Sequence, residues 1–263
     1  DPEMSRGLGD VYKRQIQKAA VIGCGFVGST IAYTLMQKGL FSEMVLLDAN
    51  KAKAEGEAMD ISHGLPFTHA MDIYAGEYED IADASVVIIT AGANQKPGET
   101  RLDLVQKNAA IMRSIIKEIK RVNCEGILLI VSNPVDILTE VALRESGFPK
   151  ERVIGSGTVL DTARLKYIIS EKLDVDSRNV HAFIVGEHGD SELAAWSCAN
   201  IYGIKLQDFA KMRGYEHFAQ DMEEVYKGVR DSAYEIIERK GATYYGIGMA
   251  AEKIVEAIVR NSH

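Results

Sequence analysis

One histidine of the chain lies in a segment whose composition suits chemistry. His188 follows an apolar, β-rich run at 180–185, with Gly186 and Gly189 on either side of it and acidic residues nearby. Glycines at these positions permit the close approach of a ligand or of another stretch of backbone. A histidine titrates near neutral pH and can donate a proton, although a lone histidine is more often structural. The segment is therefore a candidate catalytic loop, with a structural histidine as the alternative.

Charged residues that could complement this histidine lie in two predicted helices. Asp161 and Arg164 are three positions apart in a predicted helix at 160–173, so their side chains share a face. Taken alone, the two could equally form a surface ion pair that contributes little. Arg101 follows a loop of small and polar residues, a composition typical of a mobile lid. Its alternative is an ordinary charge in the first helical turn, where a cation is slightly unfavourable.

A glycine-rich turn near the start of the chain is typical of a nucleotide site. Gly23, Gly25 and Gly28 follow a short apolar run at 19–22 and precede a periodic, helix-forming segment. In such a strand, turn and helix, the first glycine permits the turn, the second admits a pyrophosphate and the third lets the helix pack closely. The N–H groups and the dipole at the helix start favour an anion there. This context makes the motif a candidate dinucleotide site.

A carboxylate at the end of the second predicted strand refines the choice of nucleotide. Asp48 follows the run at 44–47 and lies twenty residues after Gly28. A carboxylate in this position can accept hydrogen bonds from both ribose hydroxyls and would repel a 2′-phosphate, which favours NAD over NADP. The alternative is a plain β-α-β unit with a solvent-facing aspartate.

These groups have complementary roles if they meet beside a nicotinamide. Hydride transfer to a carbonyl needs a proton donor, a cation that polarises the carbonyl and an anchor for a substrate carboxylate. A pair formed by His188 and Asp161 supplies an acid whose pKa is raised by its negative neighbour. Two arginines would supply the polarisation and a two-pronged hold on a carboxylate.

The order of predicted elements indicates an α/β fold. Strands are expected at 19–22, 44–47, 71–75, 85–90, 127–131 and 153–154, and helices lie between most of them. Such alternation predicts a Rossmann-type, doubly wound parallel sheet with ligands beyond the carboxyl ends of its strands. Beyond 155, helices at 160–173, 206–213, 216–240 and 244–260 combine with the β-rich run into a mixed α+β lobe.

Composition excludes several other classes of protein. The net charge of −8 argues against nucleic acid as a partner. No apolar stretch approaches the ~20 residues that cross a bilayer. The cysteines are three, widely separated and without metal-ligand spacing, namely Cys24, Cys124 and Cys198. We therefore expect free thiols in a reducing, cytoplasmic compartment and no metal site.

Five segments together give a specific resemblance to a known family. The stretches at 23–28, 90–104, 131–136, 157–164 and 186–191 are similar to those of the lactate/malate dehydrogenase family, and the likeness covers essentially all of 17–261. The resemblance implies His188 as proton donor and acceptor, with Asp161 orienting its imidazole. It also implies that Arg164 binds the substrate carboxylate and that Arg101, carried on a closing loop, polarises the ketone.

The same resemblance implies the remaining contacts of the site. Asn133 and Thr243 would border the substrate, and the Asn133–Pro134 bond would be cis. The residues expected to bind NAD are Gly23, Gly25, Phe26, Val27, Gly28, Asp48, Thr90, Ala91, Gly92 and Asn133. Gln95 stands where malate-specific members carry an arginine for a second carboxylate, so a methyl-bearing substrate is favoured, and pyruvate and lactate are expected.

The resemblance also carries expectations about assembly and regulation. Family members form homotetramers, and some are activated by fructose 1,6-bisphosphate at basic positions that correspond to Lys166 and His181. Residues 1–15 are expected to be a non-native or disordered tail, 16–154 an NAD-binding domain and 155–263 a substrate domain truncated at its C-terminus. The open alternatives are an NAD-dependent malate or other 2-hydroxy-acid dehydrogenase and a non-catalytic NAD-binding fragment.

Overall fold

The computed structural model describes residues 17–93 and 100–262. The expected tail and Gln95 lie outside the described residues, and Arg101 is described only as the first position of a helix.

A six-stranded parallel sheet forms the first lobe, as predicted. Its strands are β1 (Lys18–Ile22), β2 (Glu43–Leu47), β3 (Asp72–Ala75), β4 (Val86–Ile89), β5 (Ile127–Ile130) and β6 (Val153–Gly155). Its helices are α1 (Phe26–Lys38), α2 (Lys51–Ser62), α3 (Arg101–Arg121) and α4 (Val135–Ser146). The strand order is β3-β2-β1-β4-β5-β6, so the direction of winding reverses between β1 and β4. A cleft for a ligand is expected at the carboxyl ends of these two strands.

Both faces of this sheet are buried, which explains why its strands are continuous apolar runs. Successive side chains of β1 point to opposite faces, so Val21 belongs to one apolar cluster and Ala20 to another. The first cluster contains residues of α1 and α2, and the second contains residues of α3 and α4. Packing on both faces therefore fixes the positions of the strands, and the carboxyl ends of the strands form the rim of the sheet.

The second lobe is a mixed layer of helices and short antiparallel strands. Its helices are α5 (Val159–Leu173), α6 (Leu206–Met212), α7 (Phe218–Lys240) and α8 (Tyr245–Val259). Its strands are β7 (Val180–His181), β8 (Ile184–Val185), β9 (Leu193–Ala194), β10 (Asn200–Ile201) and β11 (Ile204–Lys205). The apolar run at 180–185 is thus divided between two sheets, because β7 pairs with β10 whereas β8 pairs with β9.

The last helix, α8, packs mainly against the first lobe, although it also contacts α5 of the second. Ala251 and Val255 belong to the same apolar cluster as β1 and α1. The hydroxyl of Thr34 donates a hydrogen bond to the carbonyl of Gly248 at 3.2 Å. A Cβ on Gly248 would lie 2.6 Å from a side-chain carbon of Thr30, so α1 and α8 approach closely only because this residue is glycine. No helix in the described part of the chain is both long and apolar enough to cross a membrane.

Candidate active site

The glycine turn between β1 and α1 is fixed by contacts with the end of β4. Gly23 has a φ of +103°, and a Cβ on it would lie 2.6 Å from the backbone nitrogen of Ala91. A Cβ on Gly28 would lie 1.8 Å from the carbonyl oxygen of Gly23. The hydroxyl of Thr90 donates to that same oxygen at 2.7 Å. Gly25 differs, because a Cβ there would meet no atom within 4 Å. Two glycines therefore build the turn, and the third leaves open space in front of it.

Asp48 is held against the same turn. One carboxylate oxygen accepts a hydrogen bond from the backbone N–H of Cys24 at 2.7 Å, and the other accepts from that of Asn50 at 2.8 Å. The carboxylate is half-buried, so it is oriented by the backbone while part of it still faces solvent. Burial, assisted by the Asp48 charge, raises the pKa of the Cys24 thiol to about 12. The Cys24 thiol is therefore neutral at physiological pH.

A cleft of about 740 Å³ opens at this rim between β1 and β4. Six of the residues expected to bind NAD line it, namely Gly23, Gly25, Asp48, Thr90, Ala91 and Gly92. A volume of this size is in the range of small-molecule sites. The open space at Gly25, the exposed helix start and the carboxylate of Asp48 match the needs of a pyrophosphate and a ribose. The residues present therefore fit a bound dinucleotide.

Asn108 connects the two loops that border this cleft, and the sequence interpretation missed it. Its side-chain amide accepts from the N–H of Ala93 at 2.8 Å and donates to the carbonyl of Asn133 at 2.9 Å. Asn108 is 3% exposed although it is an amide in the middle of α3. It lies four positions from Leu104 and from Met112 on the apolar face, and a polar residue on that face is the signal that could have revealed it. The Asn133–Pro134 bond is cis, as expected.

His188 and Asp161 meet in the second lobe. Nδ1 of the imidazole lies 2.5 Å from a carboxylate oxygen of Asp161, whose side chain is 4% exposed. The hydrogen bond to Asp161 raises the pKa of His188 against the opposing effect of burial. Burial by itself would raise the pKa of Asp161, but the hydrogen bond and charge of His188 and the charge of Arg164 outweigh it, and that pKa is lowered. Both groups are thereby favoured in their charged forms.

Arg164 completes this cluster on the same helix. Its guanidinium donates to the second carboxylate oxygen of Asp161 at 2.9 Å, and its side chain is only 14% exposed. The surface ion pair considered from the sequence is therefore a largely buried one. Arginine has five N–H donors, so further donors remain for another anion. Asp161 is shared by the imidazole and the guanidinium.

The loop that carries His188 is tied to both lobes. The backbone N–H of His188 donates to a carboxylate oxygen of Asp136, at the start of α4, at 2.8 Å. The hydroxyls of Thr158 and Thr162 donate to the carbonyl of Ile184, and the Ile184 N–H donates back to Thr162 at 2.9 Å. These contacts place the imidazole at the carboxyl-end rim. The sequence interpretation assigned no role to these anchors.

The structure places the remaining residues predicted from the sequence on both lobes. Thr243 precedes Tyr244, whose ring stacks on Phe26 with centroids 5.2 Å apart, so this segment lies against the glycine turn. Val27 is half-buried in the first turn of α1. Lys166 is half-buried on α5, and His181 is exposed on β7. Among the described residues, Asp161, His188 and Glu192 form the one group of side chains close enough to share a metal ion.

Two models of known protein families match the sequence of this chain. The model described as "lactate/malate dehydrogenase, NAD binding domain" covers residues 17–155, and "lactate/malate dehydrogenase, alpha/beta C-terminal domain" covers residues 158–263. The chain belongs to the lactate/malate dehydrogenase family. Its cofactor is therefore NAD, and it is an NAD-dependent oxidoreductase.

Individual members of the lactate/malate dehydrogenase family are closely similar. The L-lactate dehydrogenase of Acetivibrio thermocellus is 56% identical over 94% of this chain and 78% of its own length. A crystal structure of a lactate dehydrogenase from a Medee basin deep-sea metagenome library superposes with a TM-score of 0.91, at 53% identity, over 94% of this chain and 78% of its own. The crystal structure of the minor L-lactate dehydrogenase of Enterococcus mundtii in its ligand-bound form superposes with a TM-score of 0.89 at 48% sequence identity. The match covers 92% of this chain and 77% of that chain.

Proposed function

We propose that this chain is an L-lactate dehydrogenase, which reduces pyruvate to (S)-lactate with NADH and catalyses the reverse reaction. The observation that carries the proposal is the cluster of His188, Asp161 and Arg164. It combines a proton donor, a carboxylate that keeps the donor charged and a cation with donors to spare. Relatives that share this chain's sequence over most of its length bear the same enzyme name.

The cofactor is assigned to the cleft beside β1 and β4. The residues proposed to hold it are Gly23, Gly25, Phe26, Val27, Gly28, Asp48, Thr90, Ala91, Gly92 and Asn133. Gly25 leaves room for the pyrophosphate, and Asp48 accepts hydrogen bonds from the ribose. When bound, the nicotinamide supplies the hydride.

His188 supplies the proton. Its Nδ1 is engaged by Asp161, so Nε2 is the ring nitrogen that donates to the carbonyl oxygen of pyruvate. In the reverse direction, the neutral imidazole accepts the hydroxyl proton of lactate at the same atom. Asp161 stabilises the imidazolium and fixes the ring, since its own pKa is lowered and it stays ionised.

Two arginines are proposed to bind the rest of the substrate. Arg164 uses one nitrogen for Asp161 and offers the others to the substrate carboxylate. Arg101, the first residue of α3, is proposed to polarise the ketone from the loop side. Asn133, at the cis peptide, and Thr243, beside the glycine turn, are proposed to border the substrate.

Gln95 is proposed to set the choice of substrate. A neutral amide provides no counter-charge for a second carboxylate, so burial of oxaloacetate would be costly and pyruvate is favoured. The test compares kcat/KM for pyruvate and oxaloacetate in the wild type and in Gln95→Arg, with Gln95→Asn as the control. We expect pyruvate to be preferred by the wild type and oxaloacetate by the arginine variant. Preference of the wild type for oxaloacetate would identify a malate dehydrogenase, and NADH binding without turnover would identify a non-catalytic protein.

We further propose a cytoplasmic homotetramer that fructose 1,6-bisphosphate activates. All three cysteines are free thiols, which agrees with a reducing compartment. Large apolar side chains are exposed on the single chain, among them Met59 and Phe67, which suits a subunit interface.

Lys166 and His181 offer basic groups on α5 and β7, two elements in contact. Light scattering tests the assembly, and initial rates with and without the sugar bisphosphate, in Lys166→Ala and the wild type, test the activation.

A further inference from the structure

A second carboxylic acid lies beside Asp161 of the catalytic cluster and has no role in the mechanism above. Glu192 is only 5% exposed although it precedes the short strand β9 in an otherwise exposed loop. Its N–H donates to the carbonyl of Gly189 at 3.1 Å, and the hydroxyl of Tyr226 donates to its carbonyl. The backbone at Glu192 is therefore held from the His188 loop and from α7, which directs the side chain inward.

The Glu192 carboxyl group faces the same two partners that transfer and stabilise the proton. One of its oxygens, a carboxylate oxygen of Asp161 and a ring nitrogen of His188 all lie within 4.8 Å of one another. Both Glu192 and Asp161 are buried, with 5% and 2% of their surface exposed. Two buried carboxyl groups this close repel each other when both are ionised, so the arrangement favours a proton on one of them.

The surroundings decide which carboxyl group carries that proton. Burial and the charge of Asp161 raise the pKa of Glu192 to about 7, whereas that of Asp161 is lowered. The titratable groups beside Glu192 are Asp161 from α5, His188 from its own loop and Tyr226 from α7. Arg230 of α7 stacks on the Tyr226 ring at 4.9 Å. Below about pH 7 the proton therefore resides on Glu192, within reach of the ionised carboxylate of Asp161.

The position of Glu192 beside the imidazole gives this proton a function. Within the cluster, Asp161 already provides the negative charge that stabilises the imidazolium of His188. Ionisation of Glu192 would add a negative charge beside the imidazolium, which raises the pKa of His188 and weakens it as an acid. After proton donation Asp161 loses the positive charge of its partner, and a hydrogen bond from Glu192 still stabilises it.

We propose that Glu192 is a positioning residue that acts as a protonated acid, donating a hydrogen bond to Asp161 and keeping a second negative charge away from His188. This inference rests on the proposed lactate dehydrogenase function. It predicts that the amide of glutamine can replace the protonated acid, since it is a neutral donor of similar size, whereas alanine cannot.

The test compares Glu192→Gln, Glu192→Ala and the wild type, with Glu187→Gln as the matched control because Glu187 is an exposed carboxylate of the same loop. The readouts are the pH profile of kcat/KM for pyruvate and the NMR titration of the His188 ring. At pH 6 we expect Glu192→Gln to stay within about threefold of wild type and Glu192→Ala to lose about tenfold or more. Above about pH 7 wild-type Glu192 ionises and its charge raises the pKa of His188, whereas the amide stays neutral. In Glu192→Gln the alkaline limb of the profile and the His188 titration should therefore both move down by about half a pH unit or more.

The outcomes separate this inference from the proposed function. A wild type that does not oxidise NADH with pyruvate overturns both. An active wild type whose His188 titration is the same in Glu192→Gln overturns the inference alone, and so does a glutamine variant as impaired as the alanine variant. If the alanine variant does not fold, the glutamine variant and its titration decide. A shift of equal size in Glu187→Gln would also overturn the inference, because burial would then have no part in the effect.

Discussion

The cofactor cleft and the catalytic cluster are positioned by different kinds of interaction. At the cleft, the side chains are positioned by hydrogen bonds to the backbone. The Thr90 hydroxyl donates to the carbonyl of Gly23, and the Asp48 carboxylate accepts from two backbone N–H groups. At the cluster, ionised side chains hold one another, and Asp161 binds both His188 and Arg164. The first region should therefore be sensitive to added volume, and the second to changes of charge that leave volume unaltered.

The largest effect is expected from Asp161→Asn, which removes a charge from the cluster without a change of size. The amide cannot stabilise the imidazolium, so the pKa of His188 falls and less of it is protonated at neutral pH. We expect kcat/KM for pyruvate to fall by about 10²–10⁴-fold and its alkaline limb to move to lower pH, while NADH affinity changes by less than about twofold. Stopped-flow kinetics and NADH fluorescence titration measure the two quantities. Glu171→Gln, an exposed carboxylate of α5, is the control and should leave both unchanged.

The converse test adds one methyl group to the cleft. In Gly25→Ala the new Cβ meets no atom within 4 Å, so the free protein should keep its thermal stability. The same Cβ would occupy the space assigned to the pyrophosphate, and we expect NADH affinity to fall by about tenfold or more. Gly28→Ala is the partner variant, because its Cβ would lie 1.8 Å from a backbone oxygen and should disrupt the turn itself. Unchanged NADH binding in Gly25→Ala would show that the nucleotide lies elsewhere.

Asn108→Ala tests the connection between the loops at the rim. The substitution leaves the N–H of Ala93 and the carbonyl of Asn133 without their partner, and we expect the free energy of unfolding to fall by about 1–3 kcal/mol. Since Asn133 borders the proposed substrate site, kcat/KM should fall by about tenfold. Urea denaturation and initial rates measure the two effects. Gln106→Ala, an exposed neighbour on α3, should show neither.

The sequence allowed the sheet and the glycine turn to be predicted because both depend on local patterns. Continuous apolar runs indicate buried parallel strands, and the glycine spacing is contained within six residues. The anchors of the cluster depend on contacts between distant positions instead. Asp136 binds the N–H of His188 across 52 residues, and nothing in its local sequence indicates that partner. The packing of α8 on α1 is a similar case, since it depends on the close approach of Gly248 and Thr30.

The cluster should also make stability depend on pH in a way that the cleft does not. The pKa of His188 is raised in the folded protein. Its contribution to the free energy of unfolding is therefore complete below the pKa of the unfolded state, about 6.5, and is lost as the pH rises through the pKa of the folded state. The raised pKa of Glu192, about 7, acts in the same direction from its unfolded value of about 4.3 upward. We expect the free energy of unfolding to fall between pH 5 and pH 8, by about 2–3 kcal/mol, most of it from Glu192. The fall should be smaller in Glu192→Gln, as measured by urea denaturation at each pH, and an equal slope in both proteins would contradict this account.

The smallest effect is expected where an aromatic contact joins the last segment to the cofactor turn. Tyr244 stacks on Phe26 at 5.2 Å, and the ammonium of Lys240 lies 3.5 Å from the centroid of the Tyr244 ring. Tyr244→Leu removes both contacts, but the turn keeps the hydrogen bond from Thr90 and the close packing of its glycines. NADH affinity should therefore fall by no more than about threefold, with Tyr234→Leu, an exposed tyrosine of α7, as the control. A tenfold loss would mean that side chains, and not only the backbone, position the nucleotide, and the contrast between the two regions would then be one of degree.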